Sequence, residues 1–77
     1  MKKHFLDSQA VGSRIRSLRK DYGLSRKSFA NEIGSFSVSA VHKWESGISF
    51  PSLMAVVAIC NRFNLSVDEL VLGINTH

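Results

Sequence analysis

The chain has a single cysteine, no apolar run longer than eight residues and no low-complexity tract in its 77 residues. One cysteine, Cys60, closes no internal disulfide, so packing alone must hold the fold. The longest apolar run, Leu53 to Cys60, is far short of the roughly 20 residues a membrane-spanning helix needs. At the start, Met1-Lys2-Lys3-His4 is basic, but Phe5-Leu6 gives way at once to Asp7 and Ser8, which is no secretory leader. The expectation is a cytoplasmic protein with no membrane partner. His4, His42, His77 and Cys60 have no zinc spacing. There is no Gly-rich phosphate loop with a lysine and no Ser/His/Asp order. No catalysis, cofactor or metal is expected. A chain of this length buries about 60% of its unfolded surface, enough for one core. That excludes a dinucleotide-binding sheet, an α/β barrel and a two-domain cleft enzyme.

What is there is positive charge, unevenly placed. The net charge is +4 and the pI about 9.7. Residues 1–27 carry Lys2, Lys3, Arg14, Arg16, Arg19, Lys20, Arg26 and Lys27 against Asp7 and Asp21, a net +6. Residues 28–77 carry Lys43 and Arg62 against Glu32, Glu45, Asp68 and Glu69, a net −2. A basic small domain suggests an anionic partner, nucleic acid first, although many cationic faces are only solvated.

The periodicity is helical throughout. Val11, Ile15, Leu18 and Tyr22 form one stripe of a helix over Ser8 to about Asp21, stopped at Gly23. Ser25 caps a second, short helix holding Phe29, Ala30 and Ile33, which ends at Gly34. Ser37 caps a third, running to about Ser46. Pro51 and Ser52 open a fourth, with Leu53, Val56, Val57, Cys60 and Phe63 on one face. Ser66 and Glu69 make a capping box before Leu70, Val71 and Ile74. No stretch shows strand alternation bounded by turns. The fold class expected is all-α: five helices in one compact domain.

The third helix carries the functional signal. At about 100° per residue, its positions divide into two arcs. Val41 and Trp44 anchor an apolar arc whose one charged member is Glu45. Val38, Ser39, His42, Lys43 and Ser46 form the other, which is polar and cationic apart from Val38. That face lacks the Glu/Lys/Gln filler of a merely solvated helix. Two short helices across the tight link Gly34-Ser35-Phe36 make a helix-turn-helix, whose second helix fits the major groove.

From Val11 to Val71 the chain resembles the Cro/CI-type helix-turn-helix family (XRE family), which includes lambdoid phage repressors and Cro proteins. The resemblance rests on Ile15-Arg16-x-x-Arg19, Gly23-Leu24-Ser25, Phe29-Ala30, Trp44-Glu45-x-Gly47, Pro51-Ser52-Leu53 and Leu65-Ser66-Val67-Asp68-Glu69-Leu70. It implies a lambda repressor-like DNA-binding domain. The chain departs from the family at Arg26, where Gln is common, and carries one extra residue near Ser35. Its reading positions have less bidentate capacity than the family's usual Gln, Asn or Arg.

The chemistry of each side chain assigns its role. Lys43 reaches guanine O6 and N7, Ser39 a base edge or phosphate, Val38 a thymine methyl, and His42 guanine, a phosphate or only solvent. Arg26 and, more weakly, Lys27 suit phosphates at the start of the second helix. Ser37 is grouped with them, and the resemblance adds Ser46, Ser49 and the backbone near Ile48 to Phe50. Arg14, Arg16 and Lys20 are expected in solvent. Arg19 edges the first helix's stripe, and Glu45 on an apolar arc needs a partner. The two are expected to form a buried ion pair, which the resemblance also implies.

The surplus apolar surface of the fourth helix suggests self-association. The reading is a DNA-binding regulator, a repressor bound to a palindrome as a homodimer. An antitoxin that binds a toxin protein and represses its own operon keeps the fold and changes the role. A protein-interaction module with no DNA target is the rival from another class. Residues 1–10 are read as an arm, 11–73 as the domain and 74–77 as a tail.

Overall fold

The computed structural model describes residues 6–74. Lys2, Lys3, His4 and His77, with most of the proposed arm and tail, lie outside the described residues. Four helices and a closing turn follow in order: α1 (Ser8–Asp21), α2 (Arg26–Ile33), α3 (Val38–Glu45), α4 (Leu53–Phe63) and α5 (Asp68–Leu72). No strand occurs among the described residues.

The helix starts follow from short polar side chains that satisfy otherwise orphaned amides. The Asp7 carboxylate accepts from the Gln9 amide at 3.0 Å, so α1 opens inside the stretch read as an arm. Ser25, Ser37 and Ser52 each accept from the amide three residues on, at 3.0, 3.0 and 3.1 Å. Ser66 and Glu69 exchange reciprocal bonds of 2.8 and 3.0 Å, the expected capping box. The turn it introduces is wound wider than an α-helix: the Gly73 amide donates to Asp68 O, five residues back.

Val11 and Ile15 of α1, Phe29 and Ala30 of α2, Val41 and Trp44 of α3, and Leu70 of α5 meet in one core. α4 contributes Ala55, Val56, Ile59, Cys60 and Phe63. This corrects the expected face. Leu53 is 78% exposed and Val57 is exposed too, while Ala55 and Ile59 are fully buried. A helix apolar nearly all round has no polar side to fix its rotation, so only its neighbours decide which residues face inward. Tyr22 also leaves the stripe assigned to it. It is exposed, with its ring edge-on to Phe63 at 4.7 Å, and Phe63 stacks on Phe29 at 5.4 Å. Burial, and secondly the nearby Glu69 charge, push the Cys60 thiol pKa up, which leaves it an apolar packing group.

Arg14 is a second correction. Its Nη1 donates to Leu70 O at 3.2 Å and Val71 O at 3.0 Å, tying α5 back onto α1. No helical periodicity joins positions so far apart in sequence. Arg16 and Lys20 are exposed, as expected.

A close backbone approach brings α1 against the end of α3. Gly12 is buried there, and a Cβ on it would collide with the Trp44 carbonyl oxygen and press on Glu45 O at 3.1 Å. Below it, Ser8 Oγ donates to Gly47 O at 3.0 Å, and Gly47 turns the chain out of α3 at φ +75°. In an open helix Gly→Ala stabilises by about 0.5–1 kcal/mol. At Gly12 the sign reverses, because the obstructing atoms are backbone: Gly12→Ala is expected to destabilise by about 1–3 kcal/mol in denaturant melts. A stabilised Gly12→Ala protein would show that the packing of α1 on α3 is loose.

Candidate nucleic-acid interface

α3 is held by its ends and by one face. At its start Ser37 caps the helix, and Phe36 in the preceding turn sets its ring edge-on to Trp44 at 5.5 Å. Val41 and Trp44 face the core and Ala40 is half-buried against it. The opposite face carries Val38, Ser39, His42 and Lys43, all exposed. The four residues expected to read bases therefore share one solvent-facing strip on a helix whose other side is immobilised.

The residues expected at phosphates divide. Lys27 is exposed at the start of α2. The Ser37 hydroxyl is engaged as a cap and the Ser46 hydroxyl donates to His42 O at 2.8 Å, yet both residues remain exposed or partly so. Ser49 is half-buried, its amide donating to Lys43 O at 3.4 Å. Arg26 differs from the expectation of a free cation: its Nε donates to Glu45 Oε1 at 3.2 Å.

Glu45 lies at the centre of this arrangement. Its side chain is 2% exposed, and Arg19 meets it through two bonds. Arg19 Nε donates to Oε2 at 2.6 Å and Nη2 to Oε1 at 3.0 Å. Arg19 Nη1 donates to Leu24 O at 2.8 Å, so the fork also fixes the α1–α2 turn. The hydrogen bond to Glu45 raises the Arg19 pKa above its ordinary value, against the opposing effect of burial. The structure thus brings together the two residues expected to pair and adds Arg26, whose pairing no spacing rule signals. The other described ion pair links Arg62 of α4 to Glu32 of α2 and is more exposed, with Arg62 also over the Phe63 ring at 5.0 Å.

Residues 15–70 match the helix-turn-helix family HTH_3. The chain belongs to this XRE-type helix-turn-helix family. It is a family of DNA-binding transcription regulators, not of enzymes. The chain is 34% identical over 61 residues to the antitoxin PezA of Streptococcus pneumoniae, a match covering 79% of this chain and 38% of PezA. The chain therefore spans under two fifths of that relative. The fold superimposes on the P22 c2 repressor protein, solved in complex with synthetic operator 9T, with a TM-score of 0.78 and 26% identity over 86% of this chain and 98% of that one. It superimposes equally widely on the restriction-modification controller protein C.AhdI from Aeromonas hydrophila, with a TM-score of 0.74, 27% identity, and 86% and 98% coverage. No described helix is long and apolar enough to cross a membrane.

The triad makes a stability statement that can be checked. Glu45→Ala strands the buried Arg19 guanidinium and is expected to cost about 3–5 kcal/mol in denaturant melts, while Arg19→Met leaves the carboxylate to Arg26 and is expected to cost less. Replacing both with apolar residues of similar volume is expected to cost much less. Single-variant costs in the surface-pair range, below about 1 kcal/mol, would remove the pair from the explanation of the fold.

Proposed function

We propose that this protein is a sequence-specific double-stranded DNA-binding regulator, a repressor that binds a palindromic operator as a homodimer in the cytoplasm. The observation that carries the proposal is the exposed strip Val38, Ser39, His42 and Lys43 on a helix whose opposite face is buried. An α-helix fits the major groove, and these side chains match base-edge chemistry there. Similarity to an operator-bound repressor supports the same reading. Lys27, Ser37, Ser46, Ser49 and the exposed part of Arg26 take the flanking phosphates. The domain takes in the whole of α1 from Ser8 and closes at Gly73.

The second copy covers the apolar surface that follows α3. Leu53 and Met54 are each 78% exposed, and Ile48, Phe50 and Val57 are exposed near them in sequence. Apolar side chains this exposed are covered when a partner docks on them. The similarity to PezA favours a second role on the same fold, an antitoxin that binds a toxin protein and represses its own operon. In that case a toxin-like protein is a further partner, and DNA binding persists. A protein-interaction module with no DNA target would show no salt-sensitive DNA binding.

Selection of bound sites from random duplexes is the deciding experiment. It is expected to return an inverted repeat with half-site centres about 10 base pairs apart. If each subunit neutralises about four phosphates, the log–log salt slope is about −7. Changing Ser39 and Lys43 together to Ala should cost about 1–3 kcal/mol of specific binding for each well-formed base interaction removed, with little effect on folding. An unchanged site preference in that double variant would displace α3 as the reading element, and a single unpaired half-site at saturation would argue for a monomer.

A further inference from the structure

Two different ties join α2 to α3. The first is the turn at 34–37, which connects the end of α2 to the start of α3 and is anchored by Phe36 on Trp44. The second runs between the other two ends. Arg26 is the first residue of α2, Glu45 is the last of α3, and Arg26 Nε donates to Glu45 Oε1 at 3.2 Å. The shared core holds the two helices along their length, and the turn holds one pair of ends. Tied at the other pair of ends as well, they hold one angle.

The second tie is electrostatically incomplete. Arg19 already neutralises the Glu45 carboxylate through two bonds of 2.6 and 3.0 Å. Arg26 brings a second guanidinium to the same carboxylate, so the cluster carries a surplus positive charge. A guanidinium has five donors in a planar fork, and the bond to Glu45 uses one of them. The Arg26 side chain is 38% exposed, so an anion can reach the fork from solvent.

We infer that Arg26 is a positioning residue for the reading helix: through Glu45 it sets the angle between α2 and α3, and a DNA phosphate on its remaining donors locks that angle. This rests on the DNA-reading function proposed above. The phosphate neutralises the surplus charge and holds the guanidinium between two anions, which fixes its place. Backbone binding and base reading are thereby linked through one side chain. Lysine carries the same charge but is a point donor without the fork, so it serves the phosphate or Glu45 and not both in fixed geometry.

The test compares affinity for the duplex selected by the wild-type protein with affinity for a scrambled duplex of the same length. Melting curves first establish that each variant is folded at the assay temperature. Arg26→Lys is expected to lower the ratio of selected to scrambled binding roughly tenfold, the scale of removing one charge-assisted hydrogen bond. Lys27→Gln, which removes a plain phosphate ligand, should instead weaken both duplexes by a similar factor. A cycle that combines Arg26→Lys with Glu45→Gln should give less than the product of the two single effects on that ratio. If Glu45→Gln fails to fold, the comparison of Arg26→Lys with Lys27→Gln decides alone. A wild-type ratio in Arg26→Lys, or an equal weakening on both duplexes in Arg26→Gln, overturns the positioning role. A wild-type protein that selects no site overturns the DNA-reading function itself, so the two failures are distinct.

Discussion

The Glu45 carboxylate lies almost wholly out of solvent where α1, α2 and α3 converge, and an unpaired charge in such a place is untenable. Two arginines meet it, one from the end of α1 and one from the start of α2. Glu45 is also the last residue of α3, the next position after the core residue Trp44. Whatever holds Glu45 therefore holds α3. The close approach of Gly12 to the Trp44 carbonyl brings α1 against the same end of α3 from a second direction. One charged junction and one backbone approach between them define where the exposed strip of α3 lies.

The basic amino-terminal segment is not simply a cationic surface. Arg19 is buried against Glu45, and Arg14 is folded onto the carbonyls of α5. Arg26 is half engaged, which leaves Arg16, Lys20 and Lys27 as the exposed cations of the described part of that segment. Arginine suits both duties because its fork satisfies carbonyls and carboxylates internally while its charge persists at any physiological pH. The exposed lysines are compact, strongly hydrated charges of the kind that meet a phosphate as point charges.

One face of α3 adds little to stability. Val38, Ser39, His42 and Lys43 all lie exposed on the arc away from the core, so substitutions there cost the fold little. The residues behind them are constrained by close packing, because a shift of Val41 or Trp44 would move the whole strip. The constrained and the exposed residues thus occupy opposite arcs of one short helix.

Much of this was legible in the order of residues alone. Helix starts at Ser25, Ser37 and Ser66, and the two arcs of α3, follow from capping chemistry and a period of 3.6, which are local in the chain. The pairing of Arg19 with Glu45 was legible because a carboxylate on an apolar arc demands a cation, and Arg19 edges a facing stripe. Three other features were not. The rotation of α4 was decided by its neighbours, since an apolar surface on every side offers no pattern to read. The reach of Arg14 to residues 70 and 71, and the claim of Glu45 on Arg26, depend on how distant segments converge. Local chemistry determines which helices form and, where a polar side exists, which face of each is dry. Only tertiary packing decides which of several equivalent cations is drawn inward and which is left for a partner, because hydrogen-bond geometry selects among them and charge does not.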